Sequence, residues 1–261
     1  DHREIDLAPG EERPVEFAVA PRRAGRLDGY VSIDEDGLDL DGKRYFSLEV
    51  PDAVNVLLLG EQPGDTYYLR RALAAAAQGD PALKVQAALH ANWDTATLAT
   101  TDVVFICNLR RLDDTRIQTL QRFVEDGGGL VLLPASDADL NYLNRYLLPE
   151  LLSARLQGVV HTPSGTGSPG LAPASSGLFF GLLHDGPDDQ ARFSSSFSIT
   201  PGADTHPLLN FSDGRPALIH EWKGAGRIAL WAAPLDLKWN DLPFKGVFVP
   251  AMQRLTRFLA L

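Results

Sequence analysis

The sequence predicts an α/β protein built around a parallel β-sheet. Residues 53–60 form a nearly unbroken apolar run that ends on a glycine, which is typical of a strand buried on both faces of a parallel sheet. Residues 61–65 then have the composition of a turn, and residues 66–78 place apolar side chains on one face of a helix. Two further β-α units follow before residue 150, and this alternation predicts a parallel sheet covered by helices.

The remaining elements follow from the same patterns. The further predicted strands are 83–89, 102–107, 130–133, 192–199, 217–222 and 226–233. The further predicted helices are 113–124, a segment from Asp137 or Asp139 to Leu148, and 247–261. Glycines 127–129 end the first of these helices, and Pro149 is expected to stop the second. Residues 162–177 are rich in Gly, Pro and Ser and predict a mobile surface loop.

The first 51 residues have a different pattern and are predicted to form a separate unit, followed by an α/β domain over residues 52–261. Short segments that alternate apolar and polar residues, separated by turn signals, lie at 3–7, 14–20, 25–33 and 45–50. This pattern predicts part of a β-sandwich whose other strands lie upstream. The acidic turn 34–42 lacks the EF-hand spacing, so a solvated hairpin loop is favoured over a calcium site.

Composition excludes several classes of function. The net charge is -10 over 261 residues, without a long basic cluster, so nucleic acid is not expected as a partner. The one cysteine, Cys107, excludes an internal disulfide and a cysteine-based zinc site. No apolar run approaches the roughly 20 residues that cross a bilayer. The chain begins in the middle of a pattern and has Met252 as its one methionine, so we expect a fragment of a longer protein.

Several strings, taken in order, are similar to one protein family. They are residues 39–46, 128–134, 205–209, 213–218, 224–228 and 235–250. Together they resemble the extracytoplasmic C-terminal region of BatA-like bacterial membrane proteins, and the resemblance covers essentially the whole chain. It implies a β-sandwich followed by a flavodoxin-like domain of the class I glutamine amidotransferase type. It also implies a membrane-anchored bacterial parent, with this fragment in the periplasm and other envelope or membrane proteins as partners.

The amidotransferase nucleophile is not where the resemblance requires it. A working enzyme of this type needs a cysteine on a sharp turn between a strand and a helix, with a histidine and an acidic residue later in the chain. Cys107 ends the third predicted strand, one strand before that turn, so we expect a buried or half-buried inert thiol. The turn itself falls on residues 134–136, where Ser136 is the one hydroxyl and the flanking glycines of a nucleophile elbow are missing.

Other candidate sites depend on which residues end the parallel strands, since ligands of such sheets bind at that edge. The candidate cleft residues are Glu61, Asn108, Ser136 and Asp236. A general base for Ser136 would come from His161, His184, His206 or His220, none of which a motif places; His206 is expected in a turn and His220 in a strand. The cluster of His184 with Asp185, Asp188 and Asp189 is interpreted as a solvated loop. Neither a metal nor a cofactor is predicted.

Two hypotheses for function remain. The aromatic C-terminal segment is interpreted mainly as core, with an exposed loop carrying Trp239 and Phe244 as the alternative docking surface. The favoured hypothesis is a non-catalytic interaction or scaffold module of a membrane-anchored envelope protein. The alternative is a hydrolase or small-ligand-binding domain that uses the cleft at the strand ends. Polar groups that converge in a deep cleft would favour the alternative, and a cleft filled by the protein's own side chains would favour the module.

Overall fold

A computed structural model describes residues 4–11, 15, 25–33, 42–75, 82–162, 168–174, 177–179, 181–183 and 190–260. The strands in this part of the chain are β1 (Gly25–Ser32), β2 (Lys43–Val50), β3 (Ala53–Gly60), β4 (Ala82–Leu89), β5 (Val103–Leu109), β6 (Gly129–Pro134), β7 (Arg155–His161), β8 (Leu171–Pro173), β9 (Ser195–Thr200), β10 (His206–Phe211), β11 (Pro216–Lys223) and β12 (Gly226–Trp231). The α-helices are α1 (Tyr67–Ala74), α2 (Thr95–Leu98), α3 (Asp114–Glu125), α4 (Leu140–Tyr142), α5 (Leu148–Leu151) and α6 (Phe248–Leu259). A π-helical turn, Leu143–Leu147, joins α4 to α5, and a 3₁₀ turn spans Leu242–Phe244.

An eight-stranded mixed sheet forms the centre of the fold, in the order β4-β3-β5-β6-β12-β11-β10-β8. Strands β4, β3, β5, β6 and β12 are parallel to one another. Each following neighbour, from β11 through β10 to β8, is antiparallel to the strand before it. The predicted α/β class is therefore confirmed as a mixed α/β fold with a large, mostly parallel sheet.

Strand β3 is the apolar run with which the prediction began. It pairs with β4 along one edge and with β5 along the other, and Leu58 and Leu59 are fully buried. A strand with neighbours on both edges and helices over the sheet needs apolar side chains on both faces, which explains the unbroken run. Strands β5 and β6 are buried in the same way, and they lie within two residues of the predicted segments.

The helices cover the sheet in two contacting pairs, α1 with α6 and α3 with α5. Asp113 caps α3 as predicted, because its side chain accepts a hydrogen bond from the Arg116 amide. Gly127 follows the end of α3 and its cap residue Asp126, with the left-handed φ of +113° that this position favours. Between α1 and α6, the buried Gln253 side chain donates to the carbonyl of Ala72 at 3.0 Å.

Pro149 does not stop the helix that it was expected to stop. Asp139 caps α4 with its side chain, and the helical path then continues through the π-helical turn into α5, which ends at Leu151. The Leu148 amide donates to the carbonyl of Leu143, one residue further back than in an α-helix. Pro149 therefore lies in the first turn of a new α-helix. Backbone N–H groups in the first turn have no acceptor within the helix, so the N–H that proline lacks is not needed there.

Three strands were absent from the sequence prediction. Strand β7 pairs with β9 in a separate two-stranded antiparallel sheet. Strand β8 lies inside the predicted surface loop and pairs with β10. Strand β10 begins at His206, which had been assigned to a turn. The expected strand at 3–7 is also wrong for its described part, since residues 4–7 have no regular secondary structure.

The N-terminal part contains one described hairpin, β1 with β2, in its own two-stranded sheet. Tyr30 and Tyr45 face each other across the hairpin at 6.0 Å between ring centroids, and Tyr45 is 79% exposed. The predicted strand 14–20 lies outside the described residues except for Val15, and so does most of the acidic turn at 34–42. The partial β-sandwich and the domain boundary after residue 51 therefore stay predictions.

Buried His220 on β11 makes stability depend on pH. Burial lowers its pKa to about 4, and the nearby charges of His206 and Arg227 add to this effect. Below the usual histidine pKa of about 6.5 the unfolded chain binds a proton that folded His220 does not. The free energy of unfolding should therefore fall between about pH 6.5 and pH 4, by up to about 3 kcal/mol for this group.

Denaturant unfolding of the parent protein and of His220→Asn, measured from pH 8 to pH 4, tests this. The difference in stability between the two proteins should be constant above about pH 7 and should change in favour of the variant at lower pH. Parallel pH profiles would contradict the assignment to His220.

Candidate functional site

The carboxyl ends of the parallel strands border an open cleft of about 570 Å³. Strand β4 lies on one side of β3 and β5 on the other, so the order of strands reverses at this point. Such a switch point is where sheets of this kind leave a crevice for ligands. The residues that line the cleft are Glu61, His90, Ala91, Arg111, Leu112, Asp113, Asp114, Arg116 and Tyr142.

The Asp65 carboxylate organises the turn at the end of β3. One of its oxygens accepts hydrogen bonds from the Glu61 and Gln62 amides, both at 2.9 Å. The other oxygen accepts from the side-chain amide of Asn108 at 2.8 Å. Gly60 allows this turn to be tight, because a Cβ atom at Gly60 would lie 2.9 Å from the Cβ of Asp65.

Asn108 has an unusual backbone conformation. Its φ is +59°, and it is the one residue other than glycine with positive φ in the described chain. It lies within a register irregularity of β5 that separates Ile106 from Leu109. Asparagine tolerates this left-handed region better than most residues, and the hydrogen bond to Asp65 holds its side chain across the gap between β5 and β3.

Arg110 connects three strand ends. Its guanidinium donates to Glu61, after β3, at 2.6 Å and to Asp137, after β6, at 2.7 Å. Because Arg110 itself follows β5, the two ion pairs bridge the ends of β3, β5 and β6. The candidate cleft residue Glu61 is thus already bound by the protein's own side chain.

The two arginines that line the cleft are paired as well. Arg111 donates to Asp139 at 3.0 Å and lies 4.8 Å over the ring of Tyr142. Arg116 donates to Asp113 at 2.5 Å. The hydrogen bond from the Arg116 amide lowers the pKa of Asp113, so this carboxylate remains charged for its partner. The arginines around the cleft are therefore each paired with a carboxylate of the protein.

His90, unlike the arginines around the cleft, has a polar atom without a partner. Its Nε2 atom is buried and makes no hydrogen bond in the described structure. Burial lowers the His90 pKa, although the carbonyl of Leu59 and the charges of Glu61 and Asp65 act in the opposite direction. The ring is therefore neutral at pH 7. A neutral imidazole here is a potential hydrogen-bond partner for a ligand in the cleft.

Neither candidate nucleophile is arranged for catalysis. Cys107 is buried, and desolvation followed by the charge of Asp65 raises the pKa of its thiol, which disfavours the reactive thiolate. Ser136 lies half-buried in a turn after β6. Within the described residues it has no hydrogen bond to a histidine, and His161 pairs instead with Ser195 at 3.0 Å.

The other predicted site residues are spread over the domain. Asn108 and Ser136 lie at the strand ends beside the open cleft but do not line it, and Asp236 belongs to a separate turn, where its side chain accepts from the Lys238 amide. Trp239 is half-buried, with its ring 4.9 Å from that of Phe197. Phe244 is 67% exposed.

Asp65, His90 and Arg110 were not among the residues predicted for this site. His90 directly follows β4 and Arg110 directly follows β5, so the strand-end rule that selected Glu61 could have found both. Metal binding gains no support, because the described residues contain no group of three or more His, Cys, Asp or Glu side chains that could hold an ion. The cluster from His184 to Asp189 lies outside the described residues.

Comparison with solved structures shows the same fold in distant proteins. A cytoplasmic protein from Salmonella typhimurium matches with a TM-score of 0.63 and 14% identity, over 78% of this chain and 98% of the other. A second cytoplasmic protein, from Salmonella typhimurium LT2, matches with a TM-score of 0.52 and 13% identity, over 78% and 96%. The β-galactosidase from Bacillus circulans sp. alkalophilus matches with a TM-score of 0.52 and 13% identity, over 78% of this chain and 30% of the enzyme. Neither a family model nor a curated protein matches.

These likenesses correct one expectation. The resemblance to BatA-like proteins implied a membrane-anchored parent with this fragment in the periplasm. Two proteins that share the fold over nearly their whole length are named as cytoplasmic, which contradicts that location, and we withdraw it. In the described part of the chain no helix has the length and apolar character needed to cross a bilayer.

Asn108 offers a test of how the strand-end turn is held. Asn108→Ala and Asn108→Gly both remove the hydrogen bond to Asp65, but alanine must also adopt the left-handed backbone. Asn108→Ala should therefore be less stable than Asn108→Gly by about 1 kcal/mol in denaturant unfolding. Equal stabilities, or a more stable alanine variant, would show that the positive φ is not required there.

Proposed function

We propose that this domain is a non-catalytic protein-interaction module with a flavodoxin-like, amidotransferase-type fold that lacks the nucleophilic cysteine. The observation that carries the proposal is the double ion pair of Arg110 with Glu61 and Asp137. It occupies the strand-end position where enzymes of such sheets bind their substrates. The net charge of -10 favours a protein partner over nucleic acid.

The order of the parallel strands supports the finer assignment of the fold. Numbered along the chain, β3, β4, β5, β6 and β12 are the first to fifth parallel strands, and their spatial order is 2-1-3-4-5. This is the order found in flavodoxin-like sheets. Residues 134–136, which the sequence assigns to the nucleophile turn after the fourth strand, come at the end of the fourth parallel strand, β6.

The composition of the expected nucleophile turn supports an absence of catalysis. The turn begins at Pro134 and Ala135, both buried, and continues to Ser136. An activated serine needs a base within hydrogen-bond reach and a third group that orients the base. No described histidine bonds to Ser136, and the thiol of Cys107 is buried one strand away.

One observation favours the alternative of a small-ligand site or a hydrolase. His90 lines the open cleft beside the Arg110 ion pairs, and its Nε2 atom is buried without a hydrogen-bond partner in the described structure. A ligand that donates a hydrogen bond to this atom, or accepts one from it, would satisfy a buried polar group that is costly to leave unpaired. His90→Asn is therefore the variant that separates the alternative from the main proposal.

Activity assays test the absence of catalysis. The parent protein, Ser136→Ala, Cys107→Ala and His90→Asn should each show no hydrolysis of L-glutamine or of p-nitrophenyl esters above the buffer rate. A contaminating enzyme would give the same rate in all four preparations. Turnover that Ser136→Ala, Cys107→Ala or His90→Asn abolishes, with the melting temperature unchanged, would refute the proposal and establish a catalytic site at the strand ends.

A further inference from the structure

An exposed aromatic and basic surface lies on α1 and on the 3₁₀ turn before α6. Phe244 meets Tyr68 edge-on at 5.7 Å between centroids, and Tyr68 meets Tyr67 in the same way at 5.3 Å. The guanidinium of Arg71 lies 5.9 Å from the centre of the Tyr67 ring. We call Tyr67, Tyr68, Arg70, Arg71 and Phe244 the aromatic-basic face.

The fold fixes this face in position. Helix α1 buries Leu69, Ala72 and Leu73 against the core, which leaves Tyr67, Arg70 and Arg71 exposed on the other side of the helix. In the 3₁₀ turn Leu242 is buried. The side chain that follows two residues later, Phe244, is then 67% exposed. Rigid aromatic side chains lose little conformational entropy on binding and are frequent at interfaces.

The charge on this face is unusual for the protein. The arginines around the strand-end cleft are each paired with a carboxylate. Arg70 and Arg71 form no ion pair with any described residue, while the whole chain carries a net charge of -10. Exposed guanidinium groups that have no carboxylate partner among the described residues, one of them next to the ring of Tyr67, are complementary to carboxylates presented by a partner.

We propose that the aromatic-basic face binds an acidic peptide segment of a partner protein that carries an aromatic or aliphatic anchor. The anchor packs on the edges of Phe244 and Tyr68, and the carboxylates of the segment pair with Arg70 and Arg71. The inference rests on the proposed interaction function and assigns its surface and the chemistry of its partner.

A second exposed pair serves as a matched control. Tyr146 is 53% exposed, and the guanidinium of Arg145 lies 5.7 Å from its ring centre. This pair has the same chemistry as Tyr67 with Arg71 but is on a different helical segment and lacks the contact with Phe244. Substitutions there make the same kinds of change in aromatic area and charge without altering a residue of the aromatic-basic face.

Fluorescence anisotropy with three synthetic peptides tests the proposal. The first carries Trp and Leu among Glu and Asp residues, the second replaces every acid with Lys, and the third replaces Trp and Leu with Ser. The parent protein should bind the first peptide saturably, more weakly as NaCl is raised, and should not bind the second. Phe244→Ser and Arg71→Glu should each weaken this binding by about tenfold or more. Tyr146→Ser and Arg145→Glu should leave it within about twofold.

Failure of this inference and failure of the proposed function give different results. Binding that is unchanged in Phe244→Ser and Arg71→Glu, or equal weakening by the control variants, would overturn the aromatic-basic face as the docking surface. Absence of binding to the first peptide, or preference for the second, would overturn the acidic partner. None of these binding results is evidence for catalysis. The proposed non-catalytic function is refuted by a different result, which is turnover in the activity assays that depends on Ser136, Cys107 or His90.

Discussion

The carboxylate of Asp65 holds together the edge of the sheet where a ligand would be expected. It binds the two backbone amides that follow β3 and the side chain of Asn108 at the end of β5. Charge-assisted hydrogen bonds of this kind are about twice as strong as neutral ones. They fix the turn that carries Glu61 and the irregularity of β5 that precedes Arg110. The ion pairs of Arg110 depend on both, so this one turn determines how the strand ends are closed.

The strand-end cleft and the aromatic-basic face differ in whether their arginines are paired with carboxylates of the protein. At the strand ends, Arg110, Arg111 and Arg116 are each neutralised by a neighbouring carboxylate. A charged ligand that used these groups would have to compete with ion pairs that the protein already makes. On α1, Arg70 and Arg71 are exposed, and Arg71 lies beside the ring of Tyr67, so a partner gains their interaction without such a loss. This contrast is the physical reason for preferring binding at the helix to chemistry at the cleft.

Much of the fold was predictable because buried parallel strands carry their signal locally. Strand β3 matches the predicted segment residue for residue, and Asp113 and Asp139 cap the helices that their positions predicted. Pro149 was misjudged because the preceding π-helical turn supplies a bond pattern that no local rule anticipates. Strand β10 was missed because Pro207 at its start signals a turn, whereas proline is tolerated in the first residues of a strand.

The site was less predictable, for a reason that lies in sequence separation. Arg110 bonds Asp137 across 27 residues and Glu61 across 49, and no spacing rule links such positions. Chain order identified Glu61, Asn108 and Ser136 as strand-end residues but could not show that Arg110 pairs with Glu61 and Asp137. The same rule grouped Asp236 with them. However, Asp236 does not directly follow β12, because the chain first continues through the buried Ala232 and Ala233.

Chemical-shift mapping of the isotope-labelled protein during titration with the acidic, Trp-containing peptide tests the central claim most directly, because one spectrum reports both surfaces. The account predicts saturable shifts of the backbone amides of Tyr67, Arg71 and Phe244. The amides of Glu61, Asn108 and Arg110 should remain unchanged. Shifts confined to Glu61, Asn108 and Arg110, with the amides of α1 unaffected, would contradict it and would place binding in the strand-end cleft.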